Sequence, residues 1–208
     1  MRVAQSNQPT VAMMRFALLP LQGPFELLEL PAKRRALALW ITLIASIPTA
    51  CLTTPELALA SFILALGLAW AAMIDIDRFV LPDILTLSLI VIGLALALRE
   101  GPSGAWPYIV GTAAGYLALA GVAQIYRRVC GRNGLGLGDA KLLTVAGAWL
   151  GWMARPFVVL IASLVCLVSL GAIALWRRQT IPSGPIPFGP YLAGAIWIVW
   201  LVQIGGRA

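Results

Sequence analysis

An acidic residue interrupts the edge of an apolar run in the stretch Gly134-Leu135-Gly136-Leu137-Gly138-Asp139-Ala140-Lys141-Leu142-Leu143. An Asp at the mouth of an apolar helix is costly to bury, so its presence needs a structural or functional reason. Gly134, Gly136 and Gly138 allow backbone conformations that other residues avoid. We therefore predict a loop that can reposition the Asp139 carboxylate at the start of a helix.

A second acidic stretch, Asp75-Ile76-Asp77-Arg78-Phe79-Val80-Leu81-Pro82-Asp83, also lies at the edge of an apolar run. All Asp residues of the chain lie in these two stretches. We predict that folding brings Asp75 and Asp139 together and that Asp77 faces another direction. Asp83 follows Pro82 and is expected to cap the next helix.

The composition indicates an all-α, polytopic membrane protein. Of 208 residues, 61% are hydrophobic and only 11% are charged, whereas a soluble domain carries about 25% charged residues. Apolar runs of membrane-crossing length recur along the chain. The net charge of +7 does not indicate nucleic-acid binding, because the basic residues lie in short loops between apolar runs, where they would meet lipid headgroups.

Several classes of site are excluded by residue type. The chain has no His, which removes His-based metal sites and Ser-His-Asp or Cys-His catalysis. Its three Cys are widely separated and form no CxxC pair, so no zinc knuckle or thioredoxin-like pair is expected. We expect no metal and no cofactor.

We divide the chain into two parts. Residues 1–35 are expected to form a cytoplasmic or interfacial N-terminal segment, because prolines and charges interrupt their apolar stretch. Residues 36–208 are expected to form a transmembrane domain of about seven helices. The predicted spans, of which the fifth is short, are 36–52, 56–74, 83–98, 106–125, 141–153, 157–175 and 188–204.

The basic residues predict the orientation of these spans. With Lys33, Arg34 and Arg35 in the cytoplasm, alternating spans place all but three of the 15 Lys and Arg residues on the cytoplasmic side. Such an asymmetry is typical of membrane proteins. It also places Asp75 and Asp139 on the same, cytoplasmic, face.

Two neighbouring carboxylates can perform aspartic peptidase chemistry. They cannot both ionise cheaply, so one pKa rises and the pair holds one proton near neutral pH. The ionised Asp can then act as general base on water while the protonated Asp polarises a peptide carbonyl. Asp77 and Lys141 are candidate supporting residues. For Lys141, contact with a lipid phosphate is favoured over pairing with a carboxylate.

Three blocks of this sequence resemble the type IV prepilin peptidases, the GxGD aspartic proteases of bacterial inner membranes. They are residues 75–83, residues 134–143 continuing to 152, and Ile186-Pro187-Phe188-Gly189-Pro190. The resemblance implies that Asp75 and Asp139 are the catalytic pair. It implies a GxGD-type helical bundle. Residues 187–190 predict a rigid turn into the last span, with either a purely structural role or a role in shaping the mouth of the site.

The resemblance also implies the substrates. They would be precursors of type IV pilins or of the pilin-like subunits of type II secretion, cut on the cytoplasmic side after a Gly and before a hydrophobic helix. Longer members carry an N-terminal domain with paired CxxC motifs linked to N-methylation. Because the first 35 residues contain no Cys, we expect a peptidase without that methyltransferase.

Two other functions remain open. A small transporter or assembly subunit could use Asp75 and Asp139 as ion or proton ligands, since intramembrane acids mark such pathways. The placement of both acids at span edges, away from mid-membrane, counts against it. A presenilin-type GxGD protease that cuts within a span is the other alternative, but the Leu-Pro-Asp and Pro-Phe-Gly-Pro blocks favour the prepilin branch.

Overall fold

The structure is a computed structural model that describes residues 32–99, 101–130, 137–177 and 186–206. Most of the predicted N-terminal segment, together with Gly134 and Gly136, lies outside these ranges. Within them the chain is all-helical, as predicted. The helices are α1 (Ala32–Leu52), α2 (Pro55–Arg78), α3 (Asp83–Leu98), α4 (Pro102–Cys130), α5 (Leu137–Leu150), α6 (Arg155–Arg177) and α7 (Gly189–Gly205).

Each predicted span coincides with one of these helices, but several boundaries differ. Helix α1 begins before the basic cluster, so Lys33 and Arg34 lie inside a helix and not in a preceding tail. Helix α4 contains Pro107 and extends beyond the predicted span at both ends. Helix α5 begins at Leu137, so Asp139 lies in its first turn.

Two of the described helices, at Pro55–Arg78 and Arg155–Trp176, are long and apolar enough to cross a membrane. Shorter apolar helices lie at Ala36–Ile47, Asp83–Leu98 and Gly189–Gly205. Helix α5 has 14 residues and is about 21 Å long, less than the roughly 30 Å of a bilayer core. The number of spans therefore stays a prediction.

Helix α5 lies at the centre of the bundle. It packs against α3, α4, α6 and α7, and an unbroken run of its residues, 142–150, is buried. A helix that is apolar on all sides is stable only when it is enclosed. Because four helices enclose the short α5, its position in the bundle is fixed, and so is the position of its first turn.

Glycines allow α4 and α5 to approach at backbone distance. A Cβ added at Gly111 would lie 2.8 Å from the Gly147 carbonyl oxygen, and one at Gly115 would lie 2.7 Å from the Leu143 carbonyl oxygen. Glycines four residues apart on one helix are typical of close packing between membrane helices. This contact sets the position of α5 and hence of Asp139.

Two tryptophans connect the helices at the other end of the bundle from Asp139. The Trp149 indole donates to the Leu89 carbonyl at 2.8 Å, and the Trp200 indole donates to the Ser61 hydroxyl at 2.9 Å. The two rings contact each other edge to face, with centroids 5.4 Å apart. Both polar N–H groups are thus satisfied inside an apolar core, and α5 is linked to α2, α3 and α7.

Helix α6 exposes large apolar side chains along most of its length. Leu175 and Trp176 are 82% and 91% exposed, and Leu160 and Leu167 are also largely exposed. A water-soluble domain rarely leaves so large a continuous apolar surface uncovered. The exposed face of α6 is the surface expected of a helix that contacts lipid.

Candidate active site

The two acidic stretches meet at one end of the bundle. Helix α2 ends there, and helices α3, α5 and α7 begin there. The chain leaves α2 through Phe79, whose φ of 54° and ψ of 26° lie in the left-handed region. The Phe79 N–H donates to the Asp75 carbonyl at 2.9 Å. This strained turn folds the Leu81-Pro82-Asp83 segment back beside the last turn of α2.

Asp75 is a buried residue in the last turns of α2, with only 6% of its surface exposed. Its carboxylate oxygen Oδ2 accepts a hydrogen bond from the Gly189 N–H, the first residue of α7, at 3.0 Å. A buried carboxylate needs such a partner to offset the loss of water. The structure therefore holds Asp75 inside the protein with one oxygen in a defined direction.

Asp139 is half-buried in the first turn of α5 and lies close enough to Asp75 for the two carboxyl groups to interact. Burial raises the pKa of Asp139 to about 6, and the Asp75 carboxylate adds to the rise. The turn is held by contact between Gly138 and Leu81, because a Cβ at Gly138 would lie 2.7 Å from Leu81 Cδ1. Leu81 is itself only 2% exposed.

Asp77 points away from the pair, as predicted. Its Oδ1 lies 2.5 Å from an Arg34 guanidinium nitrogen on α1. This ion pair connects α1 to the end of α2 next to Asp75. Asp77 thus has a direct structural contact, and a supporting role in catalysis stays a prediction.

Lys141 pairs with a carboxylate, which was the less favoured of the two expectations for it, and contact with a lipid phosphate stays a prediction. Its ammonium group forms an ion pair with Asp83 at the start of α3. Asp83 also does not cap α3: the helix begins at Asp83 itself, Pro82 occupies the cap position, and no side-chain cap hydrogen bond forms. The physical reason is tertiary, since the α5 first turn brings a cation within reach of Asp83.

Gly189 is the site residue whose contact the sequence did not reveal. The Pro-Phe-Gly-Pro block marked a rigid turn near the site, but the direction of one backbone N–H follows only from the packing of α7 on α2. Leu81 was likewise not singled out, because an apolar residue between two Asp looks like ordinary packing. The sequence signal that could have identified Gly189 was its position between two prolines at the start of an apolar helix.

The raised pKa of Asp139 predicts how stability depends on pH. The folded value of about 6 lies above the ordinary value of 3.8, so the folded protein binds the proton more tightly than the unfolded chain. The contribution of Asp139 to the stability of the fold is then largest below about pH 4 and is lost as the pH rises through about 6. Asp139→Asn removes the free-energy cost of ionising this buried carboxyl group. The variant should therefore melt at a higher temperature than wild type, and the difference in melting temperature should grow from about pH 4 to about pH 6.

Thermal unfolding in detergent from about pH 4 to pH 8 measures this margin. Glu56→Gln is the matched control, because Glu56 is an exposed carboxylate on the opposite end of α2, paired with Arg99. Glu56→Gln should show no pH-dependent rise in melting temperature over wild type. A margin for Asp139→Asn that does not change with pH would contradict the assignment of the shift to Asp139.

The family profile and the similar proteins that match this chain carry consistent descriptions. A profile described as the type IV leader peptidase family matches residues 62–171, which include Asp75 and Asp139. A protein of Aeromonas salmonicida described as prepilin leader peptidase/N-methyltransferase is 42% identical over 163 residues, covering 77% of this chain and 55% of its own length.

Two further relatives carry the same description. The protein of Aeromonas hydrophila is 44% identical over 144 residues, covering 69% of this chain and 49% of its own length. That of Pseudomonas aeruginosa is 42% identical over 143 residues, covering 68% and 49%. This chain thus spans about half the length of the curated relatives it matches. No solved structure matches it significantly.

Proposed function

This chain belongs to the type IV leader peptidase family, and from that membership we propose that it is a membrane aspartic endopeptidase with Asp75 and Asp139 as its catalytic pair. Its substrates are precursors of type IV pilins or of pilin-like subunits of type II secretion. The bond cut follows a Gly and precedes a hydrophobic helix. The proposal concerns this peptidase reaction alone.

One observation carries the proposal: two carboxyl groups from different helices lie together, and burial raises the pKa of both. Asp75 is buried on α2 and Asp139 stands in the first turn of α5, with the pKa of Asp139 raised to about 6 by burial and by Asp75. A pair whose proton affinities are pushed apart by environment supplies both an acid and a base.

The chemistry needs only this pair and a water molecule. The ionised carboxylate takes a proton from water as the water oxygen attacks the peptide carbonyl carbon, and the protonated carboxyl donates to the carbonyl oxygen. The tetrahedral intermediate then breaks its C–N bond, and the leaving nitrogen takes a proton from the pair. One carboxyl and one carboxylate remain, so the cycle is balanced.

The proposed location is the cytoplasmic membrane of a bacterium, with the pair at its cytoplasmic face. The apolar, exposed surface of α6 supports a membrane setting, and the distribution of basic residues supports the orientation. The substrate's hydrophobic helix would lie in the bilayer against the bundle. Its leader would then reach the end of the bundle where α2 ends and α5 begins.

A cleavage assay tests the proposal. Purified protein in detergent is mixed with a prepilin-like peptide that has a basic leader, a Gly at the cut site and an apolar helix. We expect one cut, directly after the Gly, identified by mass spectrometry of both products. A matched peptide with the Gly replaced by a bulky residue should be cut far more slowly.

Absence of cleavage by folded protein, with several such peptides, would contradict the proposal. It would shift the interpretation to the transporter or assembly-subunit function, in which the two Asp bind an ion or a proton. Cleavage inside the apolar helix would instead favour the presenilin-type alternative.

A further inference from the structure

The first N–H of α7 is aimed at the Asp75 carboxylate and not into its own helix. Gly189 follows Phe188 and precedes Pro190, and its N–H donates to Asp75 Oδ2 at 3.0 Å. The next residue, Pro190, has no N–H. The N–H groups of Tyr191 and Leu192 both donate to the Phe188 carbonyl. The Gly189 N–H is therefore the donor that the first turn of α7 offers to Asp75.

Gly189 also leaves room that the carboxylate occupies. A Cβ at this position would lie 2.5 Å from Asp75 Oδ2 and 2.8 Å from its Cγ. The positive-φ residues of the described chain are Phe79, Gly101 and Gly151, so backbone strain does not explain a glycine at 189. The requirement is steric: the Asp75 carboxyl group packs directly on the Gly189 Cα.

Two cations near Asp75 pair with other acids, and the acid contributed by α5 carries the same sign of charge as Asp75. Arg34 of α1 pairs with Asp77, and Lys141 of α5 pairs with Asp83 of α3. Arg78 lies exposed beyond Asp75 on α2. From α5 the neighbour is Asp139, an acid. From α7 the polar hydroxyl of Tyr191 lies 2.9 Å from Ser169.

From this geometry we propose that the Gly189 N–H positions the Asp75 carboxylate and selects Asp75 as the ionised base of the pair, leaving Asp139 as the proton-bearing acid. The inference rests on the proposed function and divides its two roles. Burial raises the pKa of Asp75, and the hydrogen bond from the Gly189 N–H opposes this rise because it stabilises the charged form over the neutral one. The partial positive charge at the start of α7 acts in the same direction.

In this division of roles, each of the two carboxyl groups has its own step in the reaction. Asp75, held by Gly189, takes the proton from the attacking water. Asp139 donates a hydrogen bond to the scissile carbonyl oxygen and gives its proton to the leaving nitrogen when the C–N bond breaks. The proton that Asp75 took from water then moves to Asp139, which restores the starting state of the pair. Gly189 contacts neither water nor substrate in this scheme, so it is a positioning residue that acts through Asp75.

Gly189→Ala tests the positioning role, with Gly194→Ala on the same helix as its control, since no atom lies within 4 Å of a Cβ at Gly194. The methyl group at 189 should displace Oδ2 and weaken its hydrogen bond. We expect kcat/KM for the prepilin-like peptide to fall by about 100-fold and the acidic limb of its pH profile to move up by about one pH unit. Gly194→Ala should match wild type in both.

The outcomes separate the two levels of inference. An unchanged pH limb in Gly189→Ala, whether activity is kept or falls equally at every pH, overturns the positioning role while cleavage by wild type still supports the peptidase. Failure of wild type and Gly194→Ala to cleave overturns the proposed function and this inference with it.

A second measurement does not depend on Gly189→Ala folding. Infrared spectra of wild type, Asp75→Asn and Asp139→Asn at about pH 6 report which carboxyl carries the proton. The protonated-carboxyl band should lose intensity in Asp139→Asn and persist in Asp75→Asn. The reverse pattern would overturn the division of roles.

Discussion

Asp139→Asn and Asp75→Asn are each expected to reduce peptide cleavage by at least about 1,000-fold. An amide cannot carry the exchangeable proton of Asp139 or accept the water proton as Asp75 does. Neither change should unfold the protein. Asn at 75 keeps an oxygen that can accept the Gly189 N–H, and Asn at 139 removes a carboxyl group whose ionisation the folded site disfavours.

The assay compares kcat/KM for the two variants, wild type and Glu56→Gln, with thermal unfolding measured on the same samples. Glu56→Gln should cleave at the wild-type rate, because its carboxylate is exposed at the opposite end of α2. If either Asp variant, stably folded, retained more than about a tenth of wild-type activity, the catalytic pair would be wrongly assigned.

Gly147→Ala is expected to destabilise the protein by about 1–3 kcal/mol and to lower activity as well. Its methyl group would overlap the carbonyl group of Gly111, and a helix backbone cannot move aside as a flexible side chain can. The two helices would have to separate. Since α5 carries Asp139 in its first turn, their separation would also displace the catalytic pair.

Gly121→Ala on α4 is the matched control, because a Cβ there meets no atom within 4 Å. It should leave the melting temperature in detergent unchanged or slightly raised, since Ala favours a helix over Gly. Equal melting temperatures for Gly147→Ala and Gly121→Ala would show that α4 and α5 do not pack as closely as the glycines indicate.

Much of the site was accessible from the sequence because buried charge is rare in so apolar a chain. The restriction of all Asp residues to two stretches singled out Asp75 and Asp139, and the glycines before Asp139 marked the approach to a helix. The partners of Lys141 and Asp83 were not accessible. Their side chains lie 58 positions apart along the chain, and only the packing of α5 against α3 brings them together.

The amino-acid sequence by itself determined the helical class, the family and the two candidate acids. These follow from local properties. Long apolar runs form helices in a membrane, and an acid within such a run is costly to bury and usually marks a functional site. The tertiary structure alone decided that α5 is the enclosed central helix, that Gly111 and Gly147 meet, and that the Gly189 N–H points at Asp75. Each of these depends on the relative placement of separate helices, which short-range periodicity does not encode.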